Sequence, residues 1–205
     1  MFLHLLSDDC QDLFLKIAHL VSISDNTLLW DGKTEAELTG DTNLQKVAVK
    51  EVEQEKAVLA QFARECGKDA DEWIGGLFVE RMSIAAFGEE MDEVWVAFKK
   101  KLKSIPLGKQ NDPEERIAVS FSVLEKLHAT VEEDEIEFLP AEPKVMLYEL
   151  FLLALADGDI SSVEDALLRK FADLFQIEEF LYDDLLERAQ GMNHEAVKAL
   201  SIILE

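Results

Sequence analysis

Cysteine is nearly absent from this chain. Cys10 and Cys66 are the only two, and they form neither a metal-ligand spacing nor a disulfide framework. Both are expected as reduced thiols in the core. Basic residues are also few, with 20 Lys and Arg against 43 Asp and Glu, a net charge of -23. Such a chain repels nucleic acid, whose binding depends on Lys and Arg neutralising phosphates. It is equally ill suited to anionic membrane surfaces. Cations, basic partner surfaces and solubility are favoured instead. Long hydrophobic runs are missing too. The densest, Val145 to Ala156, is interrupted by Glu149 and falls short of the roughly 20 residues that span a bilayer. The opening MFLHLLSDDC lacks a positive region and meets Asp8 and Asp9 early, so it does not read as a secretory leader. These absences together predict a soluble, cytoplasmic protein without direct membrane insertion.

Catalytic patterns are missing as well. There is no Walker loop, no Gly-x-Gly-x-x-Gly and no Gly-x-Ser-x-Gly elbow. His4, His19, His128 and His194 are scattered, and His19 and His128 fall on or near apolar helix faces, where core packing is expected. Glu125 to His128 fits the Glu-x-x-His pattern of a carboxylate-bridged metal enzyme once, without the second copy such a site needs. A non-enzymatic protein is therefore expected.

What the chain does have is helical periodicity. Its 205 residues are 48% apolar, enough for a substantial core, and no segment alternates convincingly with period two. The spacing predicts a first helix over about 11–23, a second over 44–66 stopped by Gly67, and a third over 70–87 containing Gly75-Gly76. A fourth, over 89–103, sets Met91, Val94, Trp95, Phe98 and Leu102 on one face. Its Lys99, Lys100, Lys101 and Lys103 complement the helix dipole, with an anion site as the other reading. Asp112-Pro113-Glu114-Glu115 opens a helix carrying Ile117, Phe121, Leu124 and His128. Residues 132–142 read as an exposed acidic linker. Pro143 starts a helix whose apolar character nearly all round marks it as central and buried. Ser161-Ser162-Val163-Glu164 is a capping box for the next helix, with Val163, Leu167, Phe171 and Leu174 inward. A helix over 178–190 ends at Gly191, and Asn193 caps a last one with Val197, Leu200 and Leu204 inward.

The two ends of the chain resemble each other. Residues 13–26, LFLKIAHLVSISDN, align with 145–158, VMLYELFLLALADG, so that Asp25 falls on Asp157. Residues 55–63, EKAVLAQFA, align with 164–172, EDALLRKFA, placing Glu55 on Glu164. A helix, an Asp loop and a Glu-bearing helix thus occur twice, at about 11–80 and 143–190. The first copy is enlarged by an insert near 27–52.

The stretch LLALADGDISSVEDALLRKFADLFQIEEF resembles the TerB-like, tellurite-resistance-associated family. Ala156-Asp157-Gly158-Asp159 and Glu164 carry the likeness, while Ser24-Asp25-Asn26 keeps the aspartate and replaces the glycine. The resemblance implies a single all-α domain of about eight helices over 1–205, built from two pseudo-symmetric helix–loop–helix halves. It implies a non-catalytic acidic module of bacterial stress, tellurite or phage resistance, working through protein partners in an often membrane-linked assembly. It also implies a divalent cation of the calcium or magnesium class at Asp157, Asp159, Glu164 and Asp25, with Glu55 as a further correspondent.

Read without the family, the Asp157 corner stays open between two uses. Hard cations want several oxygen ligands, which Asp157, Asp159 and Glu164 supply. The calcium-loop pattern itself fails, since Ser162 stands at its glycine position and Leu168 at its terminal glutamate. The other use is purely structural: Gly158 as a helix stop, Asp159 or Ser161 as a cap, and acids at a helix's positive end. If the two halves pack about a pseudo-twofold axis, the corners converge and pool carboxylates. Trp30, with Leu28 and Leu29, reads as an anchor of the insert to its own domain. Its other reading, with Leu29, is a partner contact. The rival to the TerB-like reading is an acidic inhibitor or immunity protein that masks a basic toxin or nuclease surface.

Overall fold

The computed structural model describes residues 1–78, 93–133 and 135–204. Among them are eight α-helices: α1 (Asp8–Ser24), α2 (Glu53–Glu65), α3 (Ala70–Phe78), α4 (Glu93–Leu102), α5 (Pro113–Glu133), α6 (Glu142–Ala154), α7 (Ser162–Leu174) and α8 (Glu179–Leu204). The predicted continuation of the third helix beyond residue 78, and Met91 in the fourth, lie outside the described residues.

The core is one cluster drawn from all eight helices. Two helices form its middle. On α6, Met146, Leu147, Leu150, Phe151, Leu153 and Ala154 are buried, as the all-round apolar pattern predicts. On α1, every residue from Ile17 to Ser24 is buried. The two helices pack against each other, so the segments that align in sequence are also the two central helices. Around them α5 packs on α1 and α7, and α8 packs on α6. Phe14 meets Phe62 edge-on at 5.0 Å, and Phe151 meets Tyr182 at 5.0 Å. Cys10 and Cys66 are free and buried, and burial pushes their thiols up to about 11 and about 12, so neither is a thiolate at neutral pH.

Several local expectations give way to the structure. Residues 44–52 do not belong to α2. Val47–Val49 forms a strand, β2, antiparallel to β1 (Leu28–Trp30), with Leu28 opposite Val49 and Trp30 opposite Val47. Three-residue strands are too short to show a period. The signal that was there is Asp31-Gly32, which takes positive φ at both positions (52° and 77°) in a tight turn closed by Trp30 and Lys33. Trp30 is 1% exposed, so it is the anchor of the insert and offers no surface to a partner; Leu29 is half-buried.

The acidic stretch 132–142 is not a free linker. Helix α5 runs on through Glu133, and Glu142 is buried at the start of α6. Its carboxylate accepts from the Ser7 N–H at 2.7 Å and the Leu139 N–H at 2.6 Å, fixing the chain ahead of α1 onto α6. Two turns on, buried Glu149 accepts from the Phe2 N–H. Nor does a helix end at Gly191: α8 continues through it to Leu204. Val197, expected inward, is 58% exposed, because α8 outruns the body it packs on. The side chains of Leu200 and Leu204 lie outside the described residues. On α5, finally, the deeply buried side is Val119, Ser120, Val123, Leu124 and Leu127, while Ile117, Phe121 and His128 are half-buried. His128 packs edge-on against Phe175 at 5.1 Å, and Glu125 pairs with Lys170 at 2.7 Å.

Candidate functional site

The site is built from two helix corners. In the first, α1 ends at Ser24, with Asp25 as its C-cap residue. A helix end leaves carbonyls without intrahelical partners. Here a buried arginine takes them. Arg116 Nε donates to Ser24 O at 2.7 Å, and Nη2 donates to Ile23 O at 2.6 Å and Asn26 O at 3.1 Å. The guanidinium also lies over the Phe98 ring at 5.2 Å. Burial pushes Arg116 down to about 10 against the opposing charge of Asp25, so it remains a cation at neutral pH. Asn26 completes the corner, its amide donating to Ser22 O and, at 3.0 Å, to Glu55 Oε2.

In the second corner, α6 ends at Ala154 and Gly158 takes φ 124°, the conformation that favours glycine. Asn193 Nδ2 donates to Leu155 O at 3.1 Å. Ser161 caps α7 as predicted. Its Oγ accepts from the Glu164 N–H at 3.2 Å, and Glu164 Oε2 accepts from the Ser161 N–H at 2.8 Å. The two corners therefore solve the same problem differently. Gly158 turns the backbone at positive φ, while Asn26, at the aligned position, lends a side chain.

Glu55 and Glu164 are each the third residue of their helix, α2 and α7. Val52 offers α2 no capping side chain, so Glu55 turns to Asn26 instead. The corners converge: ligand oxygens of Asp25, Glu55 and Glu164 all lie within 4.8 Å of one another. Glu55 is 5% and Glu164 3% exposed, whereas Asp25 faces solvent. Burial, reinforced by the charges of Asp25 and Asp157 and opposed by the Asn26 amide, pushes Glu55 up to about 7. Burial, with Asp25 and Glu55 adding to it and Ser161 opposing, pushes Glu164 up to about 8. Among the described residues, no Lys or Arg forms an ion pair with any of the three.

Of the four residues expected to ligate, the cluster contains Asp25 and Glu164. Glu55, the first-half correspondent, supplies the third carboxylate. Asp157 is exposed, close enough for its charge to act on Glu55 but outside the cluster. Asp159 is exposed beyond the Gly158 turn, in a separate shallow cleft with Gln190, Asn193 and His194. Arg116 was not visible as a site residue in the sequence. Its signal was a cation three and seven residues before buried Val119 and Val123, on the core face of α5.

Oxygens bound to one calcium-sized ion at about 2.3–2.6 Å stand at most about 5 Å apart, so the spacing of these three suits such a shell. The set is all oxygen, two thirds of it buried, and suits a hard cation rather than a soft one. Without a cation, burial leaves Glu55 and Glu164, at about 7 and about 8, able to take up protons near neutral pH. Compared with known protein families, with curated proteins and with solved structures, the chain matches none.

Proposed function

We propose that this chain is a non-catalytic, acidic, TerB-like module of a bacterial stress-response system of the tellurite- or phage-resistance kind. In this reading it works in the cytoplasm through protein contacts within a membrane-linked assembly. It takes a divalent cation of the calcium or magnesium class at Asp25, Glu55 and Glu164. The observation that carries the reading is the meeting of the two Asp-loop corners, which brings Glu55 and Glu164, equivalent in the repeat, into one cluster with Asp25. A cation there supplies the positive charge that Glu55 and Glu164 lack. Arg116 holds the α1 end in place, and Asn26 and Ser161 orient the two glutamates. Cation occupancy then governs how firmly α1, α2 and α7 are tied together, and that is the property a partner senses.

Equilibrium dialysis of chelator-stripped protein against calcium, magnesium, manganese and zinc in turn tests the reading. One ion retained per chain, and lost when Asp25→Asn and Glu55→Gln are combined, is the expected result. Retention of none of the four removes the cation from the account.

A further inference from the structure

We propose that the Lys-rich end of α4 is a docking site for a short acidic segment of a partner protein, one with apolar residues between its carboxylates. From Val94 to Asn111 the chain carries Lys99, Lys100, Lys101, Lys103 and Lys109 and no Asp or Glu. That run stands in a chain of net charge -23. Lysines in the last turn of a helix complement its dipole, and α4 ends at Leu102. The end of a dipole, however, amounts to about half a unit charge, far less than these lysines bring. Nor do acids quench the rest. Lys100, Lys101, Lys103 and Lys109 are exposed, and among the described residues they pair with no carboxylate. Carboxylates are not scarce in a chain with 43 acids; the fold keeps them away from this end.

Apolar surface adjoins the charge. Val96 lies four residues before Lys100 and seven before Lys103, so it shares their side of α4, and it is 39% exposed. Lys103 Nζ donates to Gln45 Oε1 at 3.1 Å, which brings the insert alongside, with Leu44 44% exposed. Lys99 lies over the half-buried Trp95 ring at 5.8 Å.

Charge and extent identify the occupant. The basic run is an island, with Glu93 before it and Asp112 after it. At its far end Asn111 Nδ2 donates to Glu35 Oε2 at 2.9 Å, so an acid already stands there. A long polyanion, whether nucleic acid or an anionic membrane, overruns these edges and meets the acidic remainder of the surface. A short segment stays on the island, and charges more than about 8 Å away are largely screened at physiological salt. Exposed lysines enclose no small ion, whereas several carboxylates on one peptide engage them together. Apolar side chains between those carboxylates cover Val96 and Leu44. Such docking rests on the reading that this chain works through protein contacts, and it supplies the chemistry of one. No cation enters it.

Fluorescence anisotropy tests it, with the full chain titrated in chelator into a labelled peptide of alternating Glu and Leu. About six residues suffice, spanning about 20 Å when extended. Saturable binding is expected, weakening as salt rises. Lys100→Gln, Lys101→Gln and Lys103→Gln combined raise the dissociation constant at least about tenfold, and Val96→Ser raises it about threefold. Lys126→Gln, Lys144→Gln and Arg188→Gln combined make an equal change of charge at exposed positions elsewhere and leave it within about twofold. Both triple variants alter exposed side chains and keep a cooperative melt. Because chelator is present, loss of peptide binding leaves the cation reading standing, and failure to retain a cation in dialysis leaves the docking site standing. No saturable binding, an equal loss in the two triple variants, or tighter binding of anionic vesicles or single-stranded DNA than of the peptide overturns the proposal.

Discussion

The side-chain amide of Asn26 donates to Glu55 Oε2 at 3.0 Å, and the same nitrogen donates to Ser22 O at the end of α1. One buried side chain thus joins the last turn of α1 to the first turn of α2, across an insert that contains the β1–β2 ribbon. It also orients the carboxylate that completes the cluster. Asn26→Ala leaves a helix-end carbonyl and a buried carboxyl without this donor. The expected loss is about 1–3 kcal/mol of stability, read by urea denaturation. An unchanged midpoint would show that Ser22 O and Glu55 find other partners.

The cluster predicts an inverted pH response for cation-free protein. Glu55 and Glu164 stand at about 7 and about 8 in the folded state against an ordinary 4.5. Between pH 5 and 8 the folded chain therefore binds more protons than the unfolded one, and stability falls as pH rises. The slope reaches about 1.4 kcal/mol per pH unit for each group within its window. Denaturation midpoints across that range check it, and Glu55→Gln together with Glu164→Gln should flatten the curve.

Arg116 is buried at 3% exposure and serves three carbonyls of the first corner. Arg116→Met removes all of these donors, with an expected cost of about 3 kcal/mol or more. Arg116→Lys should not restore it, because one ammonium on a flexible stem cannot reproduce the planar fork. Amide hydrogen exchange should locate the added opening at residues 21–26. Uniform weakening across the chain would contradict this assignment.

Glu142 ties the chain ahead of α1 to α6. Burial alone would raise its carboxyl, but the N–H groups of Ser7 and Leu139 outweigh that and hold it below the ordinary range. Its contribution is therefore present at neutral pH and lost as pH falls through that lowered value. Glu142→Ala should cost about 1–2 kcal/mol at pH 7 and less in acid, with faster amide exchange at Ser7. An equal cost at pH 7 and in acid would rule out a carboxylate-specific tie.

Much of this was legible in the sequence. The capping box at Ser161 and Glu164, the Pro113 start and the α6 core run each have a local pattern, and each is found where the pattern puts it. The alignment of Glu55 with Glu164 made their meeting a consequence of pseudo-twofold packing, but with the second helix expected from residue 44, the place of Glu55 as third residue of α2 was not legible. Other features escaped because tertiary context decides them. Glu142 sits in an acidic stretch, and only the approach of Ser7 makes it a buried acceptor. Arg116 reads as one more charge at a helix start until the end of α1 arrives beside it. Gly191 and Asn193 look like a stop and a cap, but Asn193 serves the α6 end and the helix runs on. Asp159 was the natural partner for Asp157 by adjacency, yet the turn at Gly158 separates it from the cluster.

The central claim is that Asp25, Glu55 and Glu164 form one cation site. It is tested most directly by thermal unfolding of chelator-stripped protein with and without millimolar calcium, magnesium, manganese or zinc. An ion that binds only the folded state stabilises it by about 2.7 kcal/mol at 100-fold over its dissociation constant. The account predicts a rise in Tm with at least one ion, abolished by Asp25→Asn with Glu55→Gln and retained in Asp159→Asn. No shift with any ion, or a shift lost in Asp159→Asn and kept in the double variant, would contradict it.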